Sequence, residues 1–398
     1  MKILVLNSGS SSIKYKLYEM PKGDVLVNGM IDKIGDKASK IKQEANGKKI
    51  EISEFIKDHE SGLHRVFDLF IDKENGVLKS LSEIGAVGHR VVHGAEDFTG
   101  SVIINDEVIK TIEKCCDLAP LHNPPNLAGI IATTHLLPGV TQVAAFDTAF
   151  HQTIPPTAYI YPIPYDYYTK YRVRKYGFHG TSHRYVARRA AELLEKGKYE
   201  VNVITCHLGN GCSLAAVKEG KSVDTSMGLT PLEGVPMGTR SGDIDPALIF
   251  FLAEKENLKL SDINGILNKK SGLVGISGFS NDMRDLEHAQ AEGKERAKLA
   301  IAIFCYRIKK YIGSYMAVLN KVDAIVFTGG IGERGPYERA EILKEMEHLG
   351  ISLDKAKNEN KEREKDISTP ESKVKVLVIP TDEEGAIARD TFEMTSKN

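Results

Sequence analysis

Three short runs of small residues carry most of the chemistry that this sequence suggests. The first, Asn7-Ser-Gly-Ser-Ser-Ser-Ile-Lys14, follows the apolar run Ile3 to Leu6; the second, His207-Leu-Gly-Asn-Gly211, follows Val201 to Cys206; the third, Thr328-Gly-Gly-Ile-Gly332, follows Ala324 to Phe327. Small side chains let backbone N–H groups close around anionic oxygens, hydroxyls add donors, and Lys14 can bring a point charge to the same place. That is phosphate chemistry. The first run is neither a Walker lysine loop, since no GK[ST] opens a helix, nor a GxGxxG turn. Singly, each is also an ordinary turn, but their repetition suggests a duplicated fold whose halves each present a phosphate hairpin. Gly329, Gly330 and Gly332 would let an adenosine lie against bare backbone.

Two arginines sit in similarly bare surroundings. Arg240 lies in Met237-Gly-Thr-Arg-Ser-Gly-Asp243, framed by small residues and by Asp243 and Asp245, and Arg90 lies in Gly88-His-Arg-Val-Val-His-Gly94 at the end of an apolar run. A planar fork of five donors suits a group with several negative oxygens, and phosphoryl transfer spreads its charge over three of them. Asp147 and Glu383, both at element ends, are then candidates for a Mg²⁺ site or for orienting arginine, although either could be a helix cap or a surface carboxylate. His179, between Phe178 and Gly180, could be catalytic or a satisfied loop histidine. The pairs His89/His93 and His179/His183 lack the glutamate of HExxH, which leaves a zinc hydrolase as a distant reading.

The elements that must position these groups follow from periodicity. Ile3 to Leu6 reads as a doubly buried strand, and Ile13, Tyr15 and Leu17 resume with period two, so Asn7 and Lys14 should face each other across the turn. Further strands are expected at 25–34, 84–92, 140–146, 201–206, 213–217, 324–328 and 374–379, with an exposed hairpin at 37–49. Helices are expected at 53–70, 105–116, 126–137, 184–195 with Thr181 or Ser182 as cap, 246–256, 261–269, 282–290, 294–319 and 337–348, with a last one opening at 381–384. The proline- and tyrosine-rich tract Ile154 to Tyr168 reads as non-helical and as the crossover between domains.

With 398 residues, the chain should form two or three domains. A net charge of -1 gives no global field for nucleic acid or an anionic membrane, and the absence of a signal region or a bilayer-length apolar run suggests a cytoplasmic protein. Five cysteines without a CxxC read as reduced and structural.

Taken together, Asn7 to Lys14, Gly88 to Gly94, Phe146-Asp-Thr-Ala-Phe-His151, Gly177-Phe-His-Gly-Thr-Ser-His183, His207 to Gly211, Met237 to Asp243 and Gly329-Gly-Ile-Gly-Glu333 resemble the acetate kinase family, in order and over essentially the whole chain. The resemblance implies an α/β fold of two duplicated ribonuclease-H-like domains, as in actin-like ATPases, with a central nucleotide cleft, and a homodimer. It implies residues 1–150 plus 384–398 as the acetate- and phosphate-side domain, with a returning C-terminal helix, and 151–383 as the nucleotide-binding and dimerisation domain. It assigns Asn7 and Glu383 to magnesium, for which Mn²⁺ could substitute, and Lys14 to the ATP phosphates. Arg90 takes the acetate carboxylate, His179 and Arg240 the transferring phosphoryl group, and Asp147 acts as the catalytic acid. The acetate methyl group would meet Val92, Leu121, Phe178 and Pro231. ATP would meet His207, Leu208, Gly209, Asn210, Gly211, Asp282, Met283, Arg284, Gly330, Ile331, Gly332, Glu333 and Arg334, the last standing where the family usually has Asn.

The expected reaction is reversible transfer of the γ-phosphoryl group from ATP to acetate. A carboxylate substrate is already ionised at neutral pH, so Asp147 more readily orients arginine or metal than removes a proton. A propionate or butyrate kinase of the same fold is the nearest alternative, and an actin-like or chaperone ATPase a more distant one.

Overall fold

The computed structural model describes residues 1–396 and divides into two compact units, Met1–Gln152 with Asp382–Asn398, and Thr153–Thr381. The seams differ by two residues from the division expected from the sequence, which carries Glu383 into the first unit.

In the first unit, strands β1 (Lys2–Ser8), β2 (Ser12–Glu19), β3 (Asp24–Asp32), β4 (Ser39–Ala45), β5 (Lys48–Glu54), β6 (Ile84–Val91), β7 (Val102–Ile103) and β8 (Thr141–Phe146) form one sheet in the order β5-β4-β3-β2-β1-β6-β8-β7. Alternate residues of β1 are buried on opposite faces, as its unbroken apolar run requires. Ile3 and Val5 pack with Tyr18 and with Ile387 and Ala388 of the helix Glu383–Thr395. Leu4 and Leu6 pack with Tyr15, Leu17, Phe67 and Phe70 under the helix His59–Phe70. That helix starts at His59 rather than at residue 53. Asp58 caps it by accepting from Ser61 N, and the residues before it continue the sheet as β5.

In the second unit, β9 (Val203–Leu208), β10 (Cys212–Lys218), β11 (Lys221–Thr225), β12 (Ala324–Thr328), β13 (Lys365–Asp366) and β14 (Lys375–Val378) take the order β11-β10-β9-β12-β14-β13. The senses repeat. β1 and β9 each pair antiparallel with the next strand and parallel with β6 and β12 respectively, and these pair parallel with β8 and β14. The five-strand cores β3-β2-β1-β6-β8 and β11-β10-β9-β12-β14 therefore match strand for strand.

Three local expectations are corrected. The tract 154–168 holds the short helix Pro156–Tyr159 and the start of Asp166–Tyr171. Proline is tolerated in a first turn, where its missing N–H has no partner to lose, so a proline-rich run can still open helices. The helix expected from residue 184 begins at Gly180, with His179 at its N-cap in the left-handed region (φ 55°) instead of a Thr or Ser cap. After β12 a helix starts at once, Gly329–Arg334, ahead of Pro336–Leu343.

Candidate active site

Both hairpins have the register that the alternation predicts. Asn7 pairs with Lys14 across the β1/β2 turn, so their side chains share one face of the sheet. Near the C-terminal end of β6, Arg90 is clamped by Asp147, its Nε donating at 2.9 Å and its Nη2 at 2.7 Å to the two carboxylate oxygens. Glu383, the first residue of the C-terminal helix, lies 3.8 Å from the same Nη2. Burial works against the charge on Arg90, but Asp147 and Glu383 outweigh it and hold the guanidinium cationic. Burial also pushes the Glu383 carboxyl up to about 7 against the pull of Arg90, with Asp147 and Glu384 adding to the rise and Lys14 opposing it. Glu383 Oε2 is buried with no hydrogen-bond partner.

The basic trio at the end of β6 resolves into one cation. His89 is buried against Gln142 Oε1 at 2.8 Å, and His93 Nδ1 accepts from Ala95 N at 3.0 Å. Burial lowers both rings to about 4, so at neutral pH only Arg90 carries charge. Among the described residues no three His, Cys, Asp or Glu side chains form a metal cluster.

The second unit presents its own anion-directed pair. Gly211, in the β9/β10 turn, lies beneath both His179 and Arg240, since a Cβ there would stand 3.5 Å from His179 Nε2 and 3.6 Å from Arg240 Nη1. The loop that carries Arg240 is fixed by Gly238 N donating to Asn210 O and by Met237 N donating to Arg240 O, both at 3.0 Å. A side chain at Gly238 would meet Asn210 Oδ1 at 1.9 Å, which explains the small residue before the arginine.

The two carboxylates expected to frame Arg240 face elsewhere. Asp243 accepts from Gly234 N at 2.7 Å and Tyr311 Oη at 2.6 Å, and Asp245 accepts from Ala247 N. Among the described residues Arg240 donates to Pro231 O at 3.3 Å and to Met237 Sδ at 3.7 Å. It is half-buried, burial lowers its pKa, and among the described residues it makes no ion pair with a carboxylate. A desolvated guanidinium without a counterion is costly unless an anion arrives.

A cavity of about 340 Å³ opens beside this turn, lined by Gly209, Asn210, Asn281, Asp282, Met283, Arg284, Glu287, Gly330, Ile331, Arg334, Gly335 and Glu338. Eight residues that the resemblance assigned to ATP are in that lining. Of the others, Leu208 is in the core, and Gly332 packs on Cys206 and Phe327. Glu333 Oε1 accepts from Gly329 N and Thr381 N, both at 3.1 Å, and so ties the loop after β12 to the end of the unit. His207 Nδ1 bonds Ser182 Oγ, and its ring stacks on His179 with centroids 4.3 Å apart. Lys14 belongs to the first unit.

Of the proposed methyl-group contacts, Val92 is half-buried and Leu121 exposed in the first unit, while Phe178 is buried and Pro231 half-buried in the second. Sequence reading missed Glu287, Glu338 and Arg339. Arg339 is buried and holds Gly332 O, Glu333 O and Asn358, but helical spacing marks it only as another polar residue.

Duplicated five-stranded cores of this order define the actin-like ATPase class of fold, and an unneutralised arginine over a small-residue hairpin, next to a cavity of this size, suits phosphoryl transfer. A family model described as the acetokinase family matches residues 2–389. The chain is 59% identical over 396 residues to an acetate kinase of Thermoanaerobacter pseudethanolicus, covering 99% of each chain. The crystal structure of Porphyromonas gingivalis acetate kinase superposes with a TM-score of 0.95 at 51% identity, covering 99% of each chain. A propionate kinase from Francisella tularensis superposes with a TM-score of 0.93 at 44% identity, covering 98% of this chain and 99% of that one. The chain belongs to the acetokinase family.

Proposed function

We propose that this protein is a reversible, magnesium-dependent acetate kinase that transfers the γ-phosphoryl group of ATP directly and in line to acetate, giving acetyl phosphate and ADP. The observation that carries the reading is Arg240, a half-buried cation that has no carboxylate partner among the described residues and converges with His179 above Gly211. Those two groups receive the equatorial oxygens of the transferring phosphoryl group, where positioned donors act on charge as it develops.

On the acceptor side, Arg90 binds the acetate carboxylate and Asp147 holds the guanidinium in place. Acetate is ionised at neutral pH, so no base is needed to activate it, and Asp147 serves as an orienting group. Val92 contributes to the pocket for the methyl group.

The donor set of the first unit fits Mg²⁺ or Mn²⁺. Glu383 has a buried oxygen that accepts no hydrogen bond, and Asn7, which pairs with Lys14 across the hairpin, carries an amide oxygen. Magnesium commonly takes one or two protein oxygens and completes its shell with water and phosphate, so a three-residue cluster is not required. When bound, the ion neutralises charge on the ATP phosphates.

A homodimer is part of the same reading. The helix Ala247–Glu256 (ALIFFLAEKE) has no buried residue although most of its side chains are apolar, and Phe250 and Phe251 are exposed, as expected of a face that a second copy covers. No described helix is long and apolar enough to cross a membrane, and use of ATP places the enzyme in the cytoplasm in this reading.

The deciding experiment traps acyl phosphate as hydroxamate from ATP, Mg²⁺, hydroxylamine and acetate, propionate or butyrate in turn. Acetate should give the highest kcat/KM. Higher kcat/KM with propionate would make the enzyme a propionate kinase, and ATP hydrolysis that ignores every acid would exclude both.

A further inference from the structure

Arg240 rides on a loop whose neck is drawn shut and tied to a helix far away in sequence. At the neck Asp243 N donates to Gly234 O, and Gly234 N donates to Asp243 Oδ1, both at 2.7 Å, so residues 234–243 form a closed ring. The other carboxylate oxygen, Oδ2, accepts from Tyr311 Oη at 2.6 Å, and Tyr311 belongs to the helix Glu295–Leu319. Next to the neck, the Glu233 carboxylate accepts from Tyr161 Oη and from Lys175 Nζ. The two sides approach closely, since a Cβ at Gly242 would stand 2.4 Å from Gly234 O.

The Arg240 side chain itself is held by much less. Its bonds to Pro231 O at 3.3 Å and to Met237 Sδ at 3.7 Å are long. The place of the guanidinium is therefore set by the backbone of the ring, where Met237 N donates to Arg240 O and Gly238 N donates to Asn210 O of the β9/β10 turn. The ring in turn keeps its shape through Asp243. A carboxylate that accepts from an N–H and a phenol makes charge-assisted bonds, which are stronger than neutral ones. Burial, and then the bond to Asp243, holds the Tyr311 phenol well above its ordinary value, so it stays a donor at neutral pH.

We infer that Asp243 is a positioning residue for phosphoryl transfer, which closes the arginine loop at Gly234 and anchors it through Tyr311, so that Arg240 stands over Gly211 before any substrate arrives. A cation placed in advance needs no rearrangement as charge develops on the transferring group. The inference rests on the phosphoryl role proposed for Arg240.

The test is a double-mutant cycle on kcat, measured as hydroxamate from saturating ATP, Mg²⁺ and acetate in the full-length enzyme. Asp243→Ala should lower kcat roughly 10- to 100-fold, since a misplacement of about 1 Å can cost that much, and Tyr311→Phe roughly 3- to 10-fold, the value of one hydrogen bond. KM for ATP and for acetate should change little, because the group that moves acts on the transition state. In an Arg240→Ala background neither substitution should cost anything further, because the side chain that they place is gone. Losses of the same size in both backgrounds would make Asp243 a structural staple and overturn the inference. Asp243→Asn keeps an oxygen for Gly234 N and offers an amide N–H to the Tyr311 hydroxyl, so it should recover most of the kcat lost in Asp243→Ala. An Asn variant as slow as the Ala variant would overturn the inference by showing that charge and not the closed neck matters. If Asp243→Ala does not fold, Tyr311→Phe, which removes only a hydroxyl, completes the cycle. Turnover lost in Arg240→Ala but kept in both the Asp243 and Tyr311 variants sinks this inference alone, whereas full turnover in Arg240→Ala sinks the phosphoryl role and the inference with it.

Discussion

Arg90 and Asp147 are joined by two parallel hydrogen bonds, 2.9 and 2.7 Å long, and Asp147 is only 2% exposed. The aspartate therefore depends on this arginine for its charge to be tolerated. Arg90→Ala should lower turnover by roughly 100- to 1000-fold and also destabilise the fold by about 3 to 5 kcal/mol, because it strands a buried carboxylate. Turnover with acetate and thermal melting of the same preparation check both effects. A variant that loses activity but melts as the wild type does would show that Asp147 has another partner.

Arg240→Ala should behave differently. No ion pair is broken and a desolvation cost is relieved, so the melting temperature should stay close to that of the wild type while kcat falls by at least about 100-fold. Comparable losses of stability in the two arginine variants would mean that Arg240 has a structural role, and retained turnover would count against its phosphoryl role.

That contrast marks where sequence reading runs out. Period-two alternation was enough to place Asn7 opposite Lys14, and the unbroken run Ile3 to Leu6 foretold a strand buried on both faces. Nothing in Met237 to Asp243 says that Asp243 turns to Gly234 and Tyr311 and leaves its arginine alone, because side-chain direction in a glycine-rich loop is set by residues distant in sequence. His89 and His93 were legible as a basic pair and are neutral core groups, since burial and not residue type decides their charge. Glu338 was invisible for the converse reason. Two positions after Gly335-Pro336, it reads as an ordinary solvated helix residue, yet it is 1% exposed.

Glu338 gives the protein a distinctive pH dependence. Among the described residues neither carboxylate oxygen meets a hydrogen-bond donor, and the Glu287 carboxyl lies close enough to disfavour a second negative charge. Burial, reinforced by Glu287, pushes Glu338 up to about 8. A carboxyl raised on folding stabilises the native state fully below its unfolded value, and that stability is lost as pH climbs from about 4.5 to about 8. Melting measured from pH 5 to 9 should fall across that window and level off above it, by an amount on the order of a few kcal/mol. Glu338→Gln, which keeps a neutral hydrogen-bonding group, should flatten the dependence. A melting curve of unchanged shape in that variant would place the effect elsewhere.

Val92 is half-buried in the turn after β6, two residues past Arg90. A methylene in an apolar pocket is worth about 1 to 3 kcal/mol, so the wild type should use propionate poorly but not reject it. Val92→Ala enlarges the space for the acyl tail, and the acetate-to-propionate ratio of kcat/KM should fall several-fold, mainly through better use of propionate. If the ratio does not move, Val92 does not border the methyl group.

The helix Ala247–Glu256 leaves Phe250 and Phe251 at 69% and 55% exposure with no buried residue on any face. Two adjacent exposed phenylalanines on a helix point in directions about 100° apart, so one narrow contact could not cover both. A broad surface is required, and a two-fold interface that pairs each helix with its copy provides one. Phe250→Glu placed in such a contact brings like charges together in a dry interface, whereas on a free surface it would change stability by no more than about 0.5 kcal/mol. Light scattering of the wild type should therefore give twice the 43.8 kDa chain mass, and Phe250→Glu should shift the equilibrium towards one chain. A wild type that runs as a single chain would leave this apolar helix without a second copy to cover it.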